Sequence, residues 1–410
     1  MILAKMKYFK KYIILLQSMD KIKITMLTEL GTEKTCVKDV KEYLGVDSEI
    51  FEEHISFEID NNTKNLEALF KFSVLAQSVN KIIIHIGEFE FKDENDVKKN
   101  IKSIVKNDVC KYWFDENPTF HVRCDHDNDD FTSGDIEPEI GAIIIDQFPE
   151  LEVSMKSPDL KVLLYIQNYK VIFGIDLTQN NLSKRQYKLI NSGKSLRATI
   201  AHHLVREIDF KGGEILLDPN SKTAEVVIEA CLWLTKMHNF YDVVFPAANS
   251  KLFKDVNTDK IMQKIKLDAK KNLAKLKKTK YVFAYSDLLR DLNAGKANAK
   301  VAGVLDLIQF SKVSLDWVDS KFDKGTVDKI ITFMPSASKH MAVKQVKKVY
   351  SEFLYQADYI IKPKGKIGVL IQRPDDLLEL MSQKQKALKL LNSDTITIGE
   401  LTYTYLIISK

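Results

Sequence analysis

The chain is poor in cysteine: Cys36, Cys110, Cys124 and Cys231 are its four, scattered with no C-x-x-C pair among them. That spacing excludes a zinc knuckle or a disulfide framework as the organising feature, and it fits a reducing, cytoplasmic setting. Long apolar runs are missing as well. The early run YIILL at 12–16 is far shorter than the ~20 residues that a bilayer-spanning helix needs, and no small-residue cleavage site follows it. No membrane segment is expected. Repeats of solenoid period are absent, and the net charge is only +5, which permits a polyanionic partner without requiring one.

What is present describes a folded, multidomain protein. The chain has 410 residues, 45% of them hydrophobic and 29% charged, enough for two or three cores. Residues 1–19 read as an N-terminal extension, because a strand pattern, KIKITML, begins directly after them. A turn over 29–32 and a helix through Glu42 and Tyr43 follow, then a second βαβ passage over 55–86. A further cycle holds the helix DVKKNIKSIVKN and a strand over 119–125. The next helix begins at TSGDIEPE, where Thr132 or Ser133 can cap and Asp135, Glu137 and Glu139 suit its positive end. LKVLLYIQ and KVIFGIDL then form a hairpin through Asn168 and Tyr169.

Beyond Asn191 strands alternate with helices: GEILLD, KYVFAYS, LIQFSKV, DKIITFM and KIGVLIQ are the strand segments. This alternation predicts a largely parallel sheet covered on both faces. A lysine-dense helical segment, KIKLDAKKNLAKLKKTK, interrupts it as an insertion at about 250–280. It reads either as a solvated amphipathic helix or as an added RNA-contacting face.

Two polar groupings invite a functional reading. Lys184, Arg185 and Lys188 follow a strand end, where side chains reach phosphates, and Tyr187 among them offers a ring for base stacking. Arg123 and Arg197 are further candidates; the plainer alternative is a solvated loop anchored by its tyrosine. His121, Asp125, His126 and Asp127 have a metal-like composition but straddle a strand end and a turn, and they are read as a polar loop. His202 and His203 beside Arg206 are read as packing residues, and no metal site is assigned.

The segments FHVRCDHDNDDFTSGDIEPEIGAIII, LKVLLYIQNYKVIFGIDLT, LSKRQYK and LRATIAHHL, in this order, resemble the THUMP domain and following linker of tRNA and rRNA guanine-N2 methyltransferases. The resemblance implies an α+β front half and an α/β back half. In detail it implies a ferredoxin-like domain over 20–95, a THUMP RNA-binding domain over 96–182 and a linker over 183–195. A Rossmann-like class I methyltransferase domain with a mostly parallel seven-stranded sheet would then cover 196–410. It further implies structured RNA, typically tRNA, as partner and S-adenosylmethionine as the cofactor of an active enzyme.

The resemblance also locates departures. In the family the first strand of the methyltransferase domain ends in a D-P-hydrophobic-C-G-[ST]-G-T turn, whose glycines admit the cofactor close to the backbone. Here LLDPNSKTAEVVIEA keeps Asp218, Pro219 and Thr223, while Lys222 and Ala224 stand at the glycine positions. Asp287 matches the acidic residue that holds the cofactor ribose, with a helix N-cap as the alternative reading. Val313 and Ser314 fall where a third acidic residue is usual, with Asp316 and Asp319 slightly late. The catalytic [ND]-P-P-[YF] tetrapeptide aligns with Phe333, Met334, Pro335 and Ser336, which lack its polar acceptor and its aromatic residue.

The expectation is therefore an RNA-binding protein, with tRNA the implied RNA, whose own methyl transfer is lost and which needs no cofactor. The alternatives are an active enzyme that uses Asp218, Thr223 and Asp287 with divergent motifs, and an accessory subunit whose apolar Phe333 and Met334 dock a protein partner in RNA modification.

Overall fold

A computed structural model of the chain describes residues 20–126, 132–192, 195–237, 246–277, 281–338 and 341–410. The expected extension at 1–19 falls wholly outside these residues, and so does Asp127.

The front half builds one seven-stranded sheet from β1 (Lys21–Leu27), β2 (Glu49–Phe51), β3 (His54–Asp60), β4 (Lys81–Glu90), β5 (Phe120–His126), β6 (Leu160–Gln167) and β7 (Lys170–Asp176), in the order β2-β3-β1-β4-β7-β6-β5. Strand β4 pairs antiparallel with β1 on one side and with β7 on the other, so the two units expected in this half share a single continuous sheet. The β6–β7 hairpin turns through Asn168 and Tyr169, whose φ angles of 49° and 59° are the left-handed pair that a two-residue hairpin with matching twist requires.

Five helices pack on this sheet: α1 (Glu33–Leu44), α2 (Thr63–Leu75), α3 (Glu94–Ile104), α4 (Asp108–Phe114) and α5 (Ser133–Gln147). Their starts are written locally. Asn62, Asp93 and Asn107 each accept a hydrogen bond from the third residue beyond, satisfying an end donor of α2, α3 and α4. Thr132 occupies the cap position of α5 without a side-chain cap bond, and the Ser133 hydroxyl donates to the Cys124 carbonyl instead.

The back half holds the expected seven-stranded, mostly parallel sheet: β8 (Leu216–Asp218), β9 (Val282–Ser286), β10 (Ile308–Lys312), β11 (Val327–Phe333), β12 (Ile361–Ile371), β13 (Lys389–Ile398) and β14 (Leu401–Ser409). Its order is β10-β9-β8-β11-β12-β14-β13. The first five neighbours run parallel, and the last two form an antiparallel hairpin at the edge. Adjacent residues face opposite layers. Leu216, Ile331 and Leu370 join a core with α6 (Ala198–Glu207) and α7 (Glu225–Thr235). Leu217, Ile330 and Val369 join another with α10 (Val343–Ile360) and α11 (Pro374–Lys384).

The lysine-dense segment is no free-standing insertion. Its helix α8 (Thr258–Leu276) buries Ile265 and Ala269, packs between α2 and α7, and is preceded by two short turns that reach into the front half. There Phe253 meets Phe70 edge-on at 5.2 Å, and Lys251 Nζ donates to the Tyr112 carbonyl at 2.7 Å. The segment thus clasps the two halves together. One further helix, α9 (Leu289–Val301), follows β9. Among the described residues, no helix is long and apolar enough to cross a membrane.

Candidate active-site cleft and nucleic-acid face

Parallel strands direct their loops to one edge, so the carboxyl ends of β8, β9, β10 and β11 define where a ligand can lie. A cleft of about 720 Å³ opens there, and Asn220, Lys222, Asp287, Phe333, Pro335 and Tyr403 are among its walls. The cradle read from the sequence is therefore lined, and not filled, by Lys222 and Phe333.

After β8 the chain turns sharply. Asp218 is buried and accepts from the Asn220 amide at 3.2 Å; burial pushes its carboxyl up to about 7. Lys222 extends along the wall, its Nζ 2.9 Å from Asn220 Oδ1 and 3.7 Å from Asp291. Ala224 keeps a left-handed conformation, φ 69°, at one of the positions where the resembled family has glycine. The backbone bend survives although the residue suited to it does not. Gly295 of α9 lies opposite, where a Cβ would stand 2.9 Å from the Ala224 Cβ. Thr223 is buried, donates to Glu225 Oε1 at 2.5 Å and shares a 2.6 Å hydrogen bond with Ser195.

Asp287 follows the last residue of β9 and stays exposed on the cleft wall. It is not the N-cap of α9, a position held by Leu288. At the third acidic position Val313 is buried and Ser314 lines the cleft, beside Leu315.

The end of β11 carries no polar side-chain acceptor. The Phe333 ring meets Tyr403 edge-on at 5.4 Å, and its carbonyl accepts from Asn220 Nδ2 at 3.0 Å. Met334 is only 2% exposed and packs in the core, which corrects its expected place on a docking surface. Pro335 turns its carbonyl to the Tyr350 hydroxyl at 2.8 Å, and Ser336 faces the cleft.

The expected RNA-contacting residues divide. Arg123 has a half-exposed side chain 3.6 Å from Glu137, and Lys184 is exposed. Arg197 is exposed and pairs with Glu29 at 2.5 Å. Lys188 is largely covered, donating to the Leu196 carbonyl at 2.6 Å and lying 3.3 Å from Glu225. Arg185 and Tyr187 are buried, and their expected contact with RNA is corrected: both are spent on Glu229. The guanidinium lies 3.2 Å from that carboxylate, the tyrosine hydroxyl donates to it at 2.8 Å, and Gln77 of the front half donates at 2.6 Å. Neither ring nor cation reaches solvent, so neither can stack on a base or meet a phosphate.

Sequence reasoning missed the partners in these contacts: Glu229, Gln77, Asn220 and Tyr403. A signal existed for one of them. Glu229 is a lone carboxylate within the apolar run VVIEACLWL, and such a residue needs a buried cation. Of the metal-like grouping, Asp125 is held by Lys81 at 2.5 Å, and Asp127 lies outside the described residues. Among the described residues, no cluster of three or more candidate ligands occurs.

Comparison with known proteins fits this geometry. Residues 185–401 match the family model described as RMKL-like, methyltransferase domain, and residues 91–176 match the THUMP domain. The chain is 29% identical over 357 residues to a tRNA (guanine(6)-N2)-methyltransferase of Methanocaldococcus jannaschii, covering 83% of this chain and 88% of that one. It is 23% identical over 350 residues to the protein of the same description in Archaeoglobus fulgidus, covering 83% and 80%. TrmN from Thermus thermophilus superposes with a TM-score of 0.67 at 17% identity over 95% of this chain and 99% of its own, a likeness of fold. With more than half of its length matched by the first of these models, the chain belongs to the RMKL-like methyltransferase-domain family and carries a THUMP domain ahead of that domain.

Proposed function

We propose that this chain is a tRNA-binding protein whose own methyl transfer has been lost. The observation that carries the reading is the end of β11, where Phe333 sits against Tyr403 in place of a polar acceptor. The cofactor side agrees with it. A methyltransferase family implies S-adenosylmethionine, yet Lys222 lies on the cleft wall where the resembled enzymes have glycine. Two unit charges of the same sign 4 Å apart repel by about 1 to 4 kcal/mol between bulk water and a protein surface. A cationic sulfonium is thus disfavoured beside Lys222, and the residues present do not fit the group.

The RNA side of the reading rests on the THUMP match, on relatives described as tRNA methyltransferases, and on the exposed Arg123, Lys184 and Arg197. We further propose the division into 20–95, 96–182, 183–195 and 196–410 as functional units, with 183–195 a linker anchored by the buried Arg185 and Tyr187 that leaves Lys184 exposed. The open cleft with its retained Asp218 and Asp287 favours a second reading, an active enzyme with divergent motifs. Titration calorimetry with S-adenosylmethionine, run beside tRNA binding and transfer of labelled methyl groups, separates the two. The expected result is tRNA binding with neither cofactor heat nor label, and labelled guanine would overturn the reading.

A further inference from the structure

The lysine-dense helix packs by one side, and its other side is charged in an ordered way. Ile265 and Ala269 mark the buried line of α8. Lys260, Lys264, Lys271 and Lys275 recur at spacings of four, seven and four, which places them in one stripe beside the outermost line of the helix. All four are exposed. The stripe runs about 22 Å along the axis. It borders a groove of about 550 Å³ that α2 and the end of α7 complete, into which Lys71, Lys236 and Lys271 project.

Some helix lysines elsewhere are neutralised locally: Lys41 by Asp47 at 2.6 Å, Lys98 by Glu94 at 2.7 Å, Lys111 by Asp108 at 2.9 Å. Among the described residues, no carboxylate lies within ion-pair distance of the four stripe lysines. The groove's two acids do not cancel the excess. Glu42 is taken by Arg206 at 2.9 Å and Lys236 at 3.4 Å, which leaves Asp268 against the stripe. The exposed lysines of this face, Lys71 among them, thus outnumber its carboxylates, and a surface of one sign attracts a polyanion.

We infer that the α8 stripe and the α2 groove form a docking track for the phosphate backbone of RNA, remote from the cleft. This rests on the RNA reading above. Helix α7 starts beside Thr223 at the cleft and ends at the groove, so its eleven residues separate the two by about 16 Å. The track would therefore hold the body of a structured RNA and add affinity without base selectivity. A bilayer surface is disfavoured, because the exposed face offers Leu267 as its one large apolar residue among those described, and interfacial helices need a broad apolar face.

The test is tRNA binding to the full chain, measured against salt concentration, for wild type and for the variant Lys260→Gln/Lys264→Gln/Lys271→Gln/Lys275→Gln. The expected result is at least a tenfold loss of affinity at low salt and a salt-dependence slope shallower by about 0.7 to 0.9 for each phosphate contact removed. A charge-matched control, Lys321→Gln/Lys324→Gln/Lys386→Gln/Lys389→Gln, is expected to stay within threefold of wild type. Should the fourfold variant fold poorly, the pairs Lys260→Gln/Lys264→Gln and Lys271→Gln/Lys275→Gln read the same slope. An unchanged slope with intact wild-type binding overturns the track alone, and so does an equal loss in the control. Failure of wild type to bind tRNA overturns the RNA reading and the track with it.

Discussion

The Asn220 side-chain amide spans the cleft floor, donating from Nδ2 to the Phe333 carbonyl at 3.0 Å while its Oδ1 accepts from Lys222 Nζ at 2.9 Å. One residue thereby ties both altered motifs into one wall: the lysine at the former glycine position and the phenylalanine at the former acceptor position. The bond to position 333 runs through its main-chain carbonyl and persists whatever side chain stands there, whereas the bond to position 222 is lost with the lysine. The combined variant Lys222→Gly/Phe333→Asn should bind S-adenosylmethionine at least tenfold more tightly than either single variant, read by calorimetry. A combined variant that binds no more tightly than Lys222→Gly alone would show that Phe333 does not obstruct the cofactor.

Ala224 holds φ 69° with its Cβ turned toward Gly295. A non-glycine residue in this region costs roughly 1–2 kcal/mol, against roughly 0.5–1 kcal/mol of chain entropy that glycine adds to the unfolded state. Ala224→Gly should therefore stabilise the protein by up to about 1 kcal/mol in urea unfolding. Gly295→Ala should destabilise it, because the new methyl meets the Ala224 Cβ at 2.9 Å and the Phe310 ring at 3.0 Å. In the Ala224→Gly background that penalty should shrink, and equal penalties in both backgrounds would refute the contact.

Glu229 is wholly buried, with Arg185, Tyr187 and Gln77 around it. Removing one partner of a buried ion pair strands the other charge and costs about 3–5 kcal/mol. Glu229→Ala should lose that much or fail to fold, whereas Tyr187→Phe should lose about 1 to 2 kcal/mol. Tyr187→Phe should leave tRNA affinity unchanged; a loss of affinity without a loss of stability would return this residue to the RNA face.

The junction of α1 with α6 is built to weaken in acid. His202 Nε2 lies 2.9 Å from Asp39, Thr35 shares a 2.8 Å hydrogen bond with His203, and Lys38 holds Glu207 at 2.5 Å. Burial holds the His203 imidazole down to about 4, against the attraction of Glu207 and Asp394. Burial alone would raise Asp39, but His202 and Arg206 outweigh it and keep the carboxyl below its ordinary range. Both groups act in the same direction. The unfolded chain protonates His203 near 6.5 and the folded chain only near 4, so the stability is whole above pH 6.5 and falls between those values. The loss is on the order of 3 kcal/mol, and Asp39 adds to it at lower pH. Urea unfolding at pH 7.5 and 4.5 should show the loss, and His203→Gln should flatten it; an identical slope in that variant would remove His203 as its source.

Features set by near neighbours were legible in the sequence. Asn168 and Tyr169 announced their hairpin because two adjacent left-handed residues suffice to make it, and the strands of the parallel sheet stood out as short apolar runs. Arg185 and Tyr187 were misread because their partner lies 44 and 42 residues away, and a basic, aromatic linker looks alike whether it faces RNA or a buried carboxylate. The edge hairpin of β13 and β14 was not singled out. Much of β13 is exposed and polar, so it lacks the apolar signature of its neighbours, and its Tyr403 joins the cleft only through the fold. The track on α8 was half legible: its lysines were plain, but only packing against α2 and α7 fixes which side they face.

Strand β4 contributes hydrogen bonds on both edges, to β1 along one and to β7 along the other. A cut made between β1 and β4, or between β4 and β7, strips one of those edges bare, and an unpaired central strand is an invitation to aggregate. The front half will therefore resist dissection into two smaller recombinant pieces, and in native-state hydrogen exchange its two wings should open together as one foldon.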